Sequence, residues 1–386
     1  MIKKAVSILF ILIIITFAAC GSLFCDTNEE VQKREPLTRA KVLKVLSIDE
    51  TNIDHSGGTI TDQFQMLEVL IMKGPNKGEI IEAKRDLNYG FDVKYQFAKL
   101  EKGDEVLLHI NRNEDGSISN ADVSEIARDK YLLYLVIAFV ILLLVIGMGK
   151  GLKAVISLII TILSIFYVVL PLILEGYNPI LVSVSVCAVI ITASLLIIGG
   201  ISKKTFSAIA GTWGGIIIAG VIALIVGHYA KLTGMGTEDA YYLMNSPSDI
   251  TFDLRGLLFA GIIMGAMGAV MDVSMSISSS ISEIKAATPD IKTKNLIKAG
   301  MNVGRDIMAT MSNTLILAYT GGALNLVLLF LIHDVPFVEI INMDMIAGEV
   351  LRAVAGSIGL IFTIPLTAFV AGWIQNIDTG PQAQYY

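Results

Sequence analysis

The chain changes texture near residue 130. Before that point, short apolar stretches alternate with polar residues and turn signals. After it, long apolar runs follow one another almost to the C-terminus. Residues 40–46 (AKVLKVL) and 65–71 (QMLEVLI) read as strands. Gly74-Pro-Asn-Lys-Gly78 marks a turn, and Gly78-Glu-Ile-Ile-Glu82 begins the return strand. Residues 105–110 (EVLLHI) read as another strand, followed by the turn Asn113-Glu-Asp-Gly116. About five short strands predict a small all-β domain, a barrel or a sandwich, with an OB-like barrel among the candidates. From Tyr131 onward the runs reach the roughly 20 residues that cross a hydrocarbon core about 30 Å thick. They predict spans near 131–148, 152–173, 179–199, 206–228, 256–277, 307–332 and 351–373. One more apolar run, Ala5 to Ala19, follows Lys3 and Lys4 and reads as a signal peptide or an uncleaved signal anchor. The expected organisation is a leader over 1–25, an exported β-domain over 26–130 and a multi-pass domain over 131–386. That gives about eight transmembrane helices, or about seven if the leader is cleaved.

Composition sharpens this reading. The chain is 54% hydrophobic and 17% charged, where a soluble fold carries about 25% charge. The fold class is therefore an α-helical polytopic membrane protein with a small exported β-domain, and the lipid bilayer is its first partner. The net charge of -6 and the lack of a basic, aromatic face argue against nucleic acid. Cys20, Cys25 and Cys187 have no metal-ligand spacing with one another or with the four histidines. No disulfide framework, metal site or cofactor is expected. Phe17-Ala-Ala-Cys20-Gly21 resembles a lipoprotein cleavage box, although Phe17 stands where such a box prefers Leu. The other reading is an anchor helix that contains a cysteine.

The charges also set an orientation. Lys150 and Lys153, Lys203 and Lys204, and the group Lys285, Lys292, Lys294, Lys298 and Arg305 fall in alternate connections between spans. The connections at 175–178, 229–255 and 333–350 are poor in Lys and Arg or rich in acids. The positive-inside rule then places the N- and C-termini inside and the β-domain outside.

Candidate chemistry lies between Gly261 and Thr314. Gly261, Gly265 and Gly268 have the spacing that lets another helix approach closely. Asp272 sits about 24 Å in from Gly256, at about 1.5 Å per residue. A carboxylate there costs about 3 kcal/mol and should face protein or water. Asp272, Ser276, Ser279 or Ser280, and Glu283 recur at three- and four-residue steps as one polar stripe. Asn302, Asp306, Thr310 and Asn313 form a second stripe on the next helix. The functional reading is a cation- or proton-accessible pathway through Asp272, Ser276, Asn302, Asp306, Thr310 and Asn313. The plainer reading is that Asp272 pairs with Arg305, or caps a neighbouring helix, and fixes packing. Gly321-Gly322 should kink the long seventh span. Glu349 and Arg352 read as a surface ion pair, and His228 and His333 as structural residues at helix ends. There is no Gly-x-Ser-x-Gly, His-Glu-x-x-His or Gly-x-x-x-x-Gly-Lys, so no enzyme is expected. Asp272 with Asp306 is formally the carboxylate pair of an intramembrane hydrolase, with nothing around it to add support.

The run Gly265-Ala-Met-Gly-Ala-Val-Met-Asp272-Val-Ser-Met-Ser-Ile-Ser278 resembles the YibE/F-like family of bacterial multi-pass membrane proteins. Gly300-Met-Asn-Val-Gly304-Arg-Asp-Ile-Met308, Met311-Ser-Asn-Thr-Leu-Ile-Leu317, Asp253-Leu-Arg-Gly-Leu-Leu258 and Gly348-Glu-Val-Leu-Arg352 fit as well. The resemblance covers both the membrane portion and the preceding domain. It implies a protein of the bacterial cytoplasmic membrane. A weaker likeness links the Asp-bearing helix, basic inner loop and Thr/Asn-bearing helix to the transmembrane part of SecF-type and resistance–nodulation–division proteins. That likeness implies use of a proton gradient. The expected function is a secondary transporter or permease for a small solute or ion, with proton coupling as one form. The alternative is a membrane scaffold or sensor whose residues 26–130 bind an envelope protein.

Overall fold

The computed structural model describes residues 37–55, 58–88, 98–113, 118–246 and 251–376. The N-terminal leader, Cys20, Cys25 and most of the expected turn at 113–116 lie outside the described residues. The rest falls into two compact units, one up to Leu142 and one from Leu143 onward.

The first unit is a five-stranded closed barrel: β1 (Thr38–His55), β2 (Gly58–Ile71), β3 (Ile80–Asp86), β4 (Glu105–Arg112) and β5 (Ile118–Ile126). The strands run in the order β1-β2-β3-β5-β4, and β1 closes the barrel on β4. Of these neighbours only β3 and β5 are parallel, registered at Lys84 and Asp122. Alternation places Leu67, Val69 and Ile71 inside, with Val42, Val106 and Leu108 opposite them. Irregularities at Val42/Lys44 and Val45/Ser47 bend the long β1, as a closing sheet requires. The β2–β3 turn stands where the sequence placed it, with Gly74 and Gly78 at φ 95 and 94. Gln65 is buried among the apolar side chains and satisfies a passing loop. It accepts from the Leu100 amide (2.9 Å) and donates to the Leu100 carbonyl (3.3 Å).

Helix α1 (Asp129–Ser164) leaves the barrel with its first turn fastened to it. Arg39 pairs with Asp129 (2.5 Å) and with Glu105 (3.3 Å), and Lys130 also reaches Glu105. The Asp129 carboxylate, through its hydrogen bond, holds the Arg39 guanidinium above its usual range. The sequence predicted two spans at 131–148 and 152–173. The helical stretch runs from Asp129 to Leu174, through a π turn (Ile165–Val169) and α2 (Leu170–Leu174), and divides where the first predicted span ends. It is broken at Met148, whose φ and ψ are 48 and -128. At roughly 1.5 Å per residue the stretch is about 70 Å long, over twice a hydrocarbon core. The break turns the chain so sharply that a side chain at Gly151 would collide with the Leu143 carbonyl.

The remaining elements are α3 (Pro179–Gly199), α4 (Lys203–Tyr229), α5 (Glu238–Met244), α6 (Leu254–Ala287), α7 (Thr293–Gly322), α8 (Leu324–Ile332), α9 (Phe337–Asn342) and α10 (Asp344–Gln375). Asn178, Ser202 and Asp253 cap α3, α4 and α6 with side-chain oxygens, satisfying backbone amides at each helix start. Among the described residues, five helical stretches are long and apolar enough to cross a membrane. A sixth follows if α7 and α8, bent by 57°, count as one. The bend falls directly after Gly321-Gly322, where the sequence predicted an interruption.

Helix α7 begins at Thr293 rather than at residue 307, so Lys294, Lys298 and Arg305 sit on the helix and not in a loop. Hydropathy marks only the apolar part of a helix, while Leu296, Gly300 and Gly304 carry the buried face on through polar sequence. Helices α4, α6 and α10 form the centre, with α3 and α7 packed against it. Glycines set the closest approach. A Cβ at Gly359 on α10 would lie 2.7 Å from the Ala219 Cβ and 2.7 Å from the Gly215 carbonyl of α4.

Candidate functional site

The inward face of α6 carries Val270, Val273, Ser274, Ile277, Ser278 and Ile281, all buried. The opposite face carries Asp272, Ser276 and Glu283, all exposed, beside half-buried Ser279 and Ser280. Helix α7 divides in the same way. Leu296, Gly300, Gly304 and Leu315 are buried, while Asn302, Asp306, Thr310 and Asn313 are exposed. The two helices run antiparallel, with Gly300 against Ile281, Gly304 against Ile277, and Gly265 against the Tyr319 hydroxyl. This register sets Asp272 level with Thr310, and Asp306 level with Ser276. The two stripes therefore stand at matching levels on the exposed faces of adjacent helices. Among the described residues they are not enclosed in an interior passage.

The polar atoms on this surface are sparsely engaged. Arg305 donates to Asn302 Oδ1 at 3.3 Å, and Thr310 donates to the Ile307 carbonyl at 2.9 Å. Among the described residues, Asp272, Asp306 and Asn313 make no hydrogen bond or ion pair. Arg305, the partner the sequence offered for Asp272, turns to its own helix instead. The glycine stripe shares this outward face. Gly261 has only Arg352 Nη2 within 4 Å, at 3.9 Å, and Gly265 receives Tyr319. Nothing stands within 4 Å of a Cβ at Gly268. Among the described residues, Gly268 packs against no helix.

Sequence reasoning passed over the polar groups that do face inward. Ser278 Oγ donates to the Lys204 carbonyl at 2.5 Å and ties α6 to the start of α4. Thr367 Oγ1 donates to Ser274 Oγ at 3.4 Å, joining α10 to α6. Their signal was the apolar register: Ser274 and Ser278 share the turn positions of Val270, Ile277 and Ile281. Glu349 and Arg352 pair at 2.9 Å, but their side chains are only 27% and 28% exposed, so the pair is not a loose surface contact. The Arg352 guanidinium lies 5.9 Å from the Tyr319 ring centroid.

In the barrel, a cavity of ≈ 700 Å³ opens between Lys84–Asp86 and Asp122–Arg128. Arg85 lines it and is 8% exposed, with an Nη1 that has no hydrogen-bond partner among the described residues. Burial, aided by the neighbouring Arg128, lowers its pKa from the usual guanidinium value.

Comparison with known families decides the kinship. The family model described as YibE/F-like protein matches residues 135–377, and that of the YibE/F family N-terminal domain matches 36–126. The chain belongs to the YibE/F family. No curated protein and no solved structure matches it. The barrel of this YibE/F protein falls within the N-terminal match, and α6, α7 and their shared outward face fall within the other. Its apolar helices fit a membrane protein.

Proposed function

We propose that this YibE/F protein is a permease or secondary transporter, in which a small solute or ion passes along the outward polar face of α6 and α7. Proton coupling through Asp272 and Asp306 is the form this reading favours. The observation that carries it is the level pairing of two polar stripes on adjacent membrane-length helices, with both carboxylates unengaged. Carboxylates in that setting are the usual groups of ion and proton paths. The reading involves no chemical transformation. The basic connections and helix ends at Lys150, Lys203, Lys204, Lys292 and Lys294 support a bacterial cytoplasmic membrane orientation with the barrel outside and the C-terminus inside.

The test uses the full chain in vesicles loaded with a pH-sensitive dye under an imposed membrane potential. Wild type is expected to leak protons or cations, and Asp272→Asn and Asp306→Asn to leak at least about tenfold less. Equal flux in all three would remove these residues from the path.

A second reading, a sensor whose outer domain over 26–130 binds an envelope protein, is favoured by the Arg85 cavity. The strand order β1-β2-β3-β5-β4 supports an OB-like form for that domain. Under this reading Arg85→Met abolishes capture of a saturable partner by the full chain. Undiminished capture would count against it.

A further inference from the structure

We propose that a second copy of this chain covers the outward face of α6 and α7, so that the path runs between two protomers. The proposal rests on the permease reading in two respects: it takes α6 and α7 to lie within a bilayer, and their polar face to be the path.

Three observations converge on this face. The first is polarity. Asp272, Ser276, Asn302, Asp306, Thr310 and Asn313 are all exposed among the described residues. Hydrocarbon offers carboxylates and amides no hydrogen bonds, so lipid is the wrong cover for them. The second is shape. Gly261, Gly265 and Gly268 run along the same face of α6; Arg352 and Tyr319 of the same protomer approach the first two, and Gly268 meets none of the described residues within 4 Å. The small residue at Gly268 leaves a shallow opening that admits a helix. The third is charge. The face carries the exposed cation Arg305 beside the exposed anions Asp272 and Asp306. With both signs on the face, a two-fold axis can set Arg305 of each copy against a carboxylate of the other, the reciprocity an isologous dimer requires.

Helix α8, also uncovered, is apolar but for Asn325 and brings few donors or acceptors to such a face. A single protomer presents half of a path, open along one side. The identical face of a second copy closes it and doubles the carboxylates along it.

The experiment counts subunits of the labelled full chain in lipid vesicles by single-molecule photobleaching, and measures proton leak on the same vesicles. The variants are Gly268→Leu, which fills the opening, and Ile217→Phe, which adds bulk at an exposed site on α4. Wild type and Ile217→Phe are expected to show two copies per spot. Gly268→Leu should dimerise at least tenfold more weakly and lose the leak, while its unfolding temperature in a detergent that holds both proteins monomeric stays at the wild-type value. A single copy per spot for wild type overturns the proposal, as does a dimer indifferent to Gly268→Leu. Failure of the permease reading has a different signature. A dimer split by Gly268→Leu whose leak ignores Asp272→Asn keeps the interface and discards the path. A monomer whose leak needs Asp272 does the reverse.

Discussion

Gly359 and Gly268 are both glycines on membrane-length helices with another glycine three residues before them, and they do opposite things. Gly359 stands where α10 touches the backbone of α4, so any side chain drives the helices apart. Gly359→Leu is expected to destabilise the protein by about 1–3 kcal/mol, read as a fall in the unfolding temperature in detergent. In a detergent that holds the protein monomeric, Gly268→Leu should leave that temperature unchanged, because within one protomer its Cβ meets none of the described residues. Equal falls in both would contradict the packing described. The spacing of glycines was legible in the sequence, but the face that each one served was not. Ser274, Ser276 and Ser278 show the same limit. They stand two apart, so a helix carries Ser276 outward and its two neighbours inward. Only the surrounding pattern of Val270, Ile277 and Ile281 separates them.

At the level of elements, most boundaries set by hydropathy were close, and the deviations share a cause. Helices α7 and α10 both begin well before their apolar runs, at Thr293 and Asp344 rather than 307 and 351. A helix continues wherever backbone bonds and one buried face allow, while a hydropathy reading stops where the side chains turn polar. The break at 148 was legible as the end of a predicted span, but its backbone geometry was not. Met148 adopts φ 48 and ψ -128, a region that costs a side chain of order 1–3 kcal/mol, between two glycines that would adopt it freely. Met148→Gly should therefore stabilise the protein by about 1 kcal/mol net of the added chain entropy. The measurement is the unfolding temperature, and a fall would show that the Met148 side chain contributes more than its strain costs.

For the whole molecule, the division into a barrel and a helical unit follows the change of texture near residue 130. The barrel was legible in its alternation and its Gly74–Gly78 turn. Its strand order was not, because closure depends on which distant strands meet. The orientation argued from Lys and Arg has a direct check in single cysteines on a cysteine-free chain in intact cells. Tyr177→Cys should react with a membrane-impermeant maleimide from outside, and Lys292→Cys only after permeabilisation. The reverse pattern would invert the topology and place the barrel inside.

The fastening of Arg39 and Lys130 around Asp129 and Glu105 leaves no slack between the barrel and the helix that leaves it. A domain on a loose tether can tumble without its membrane segment feeling anything. Here the first turn of α1 is part of the barrel's own ion-pair network, so barrel and helix must twist together like a handle and its shaft. Torque applied to the barrel by anything that grips it would therefore reach the first turn of α1 with no loop between them to absorb it.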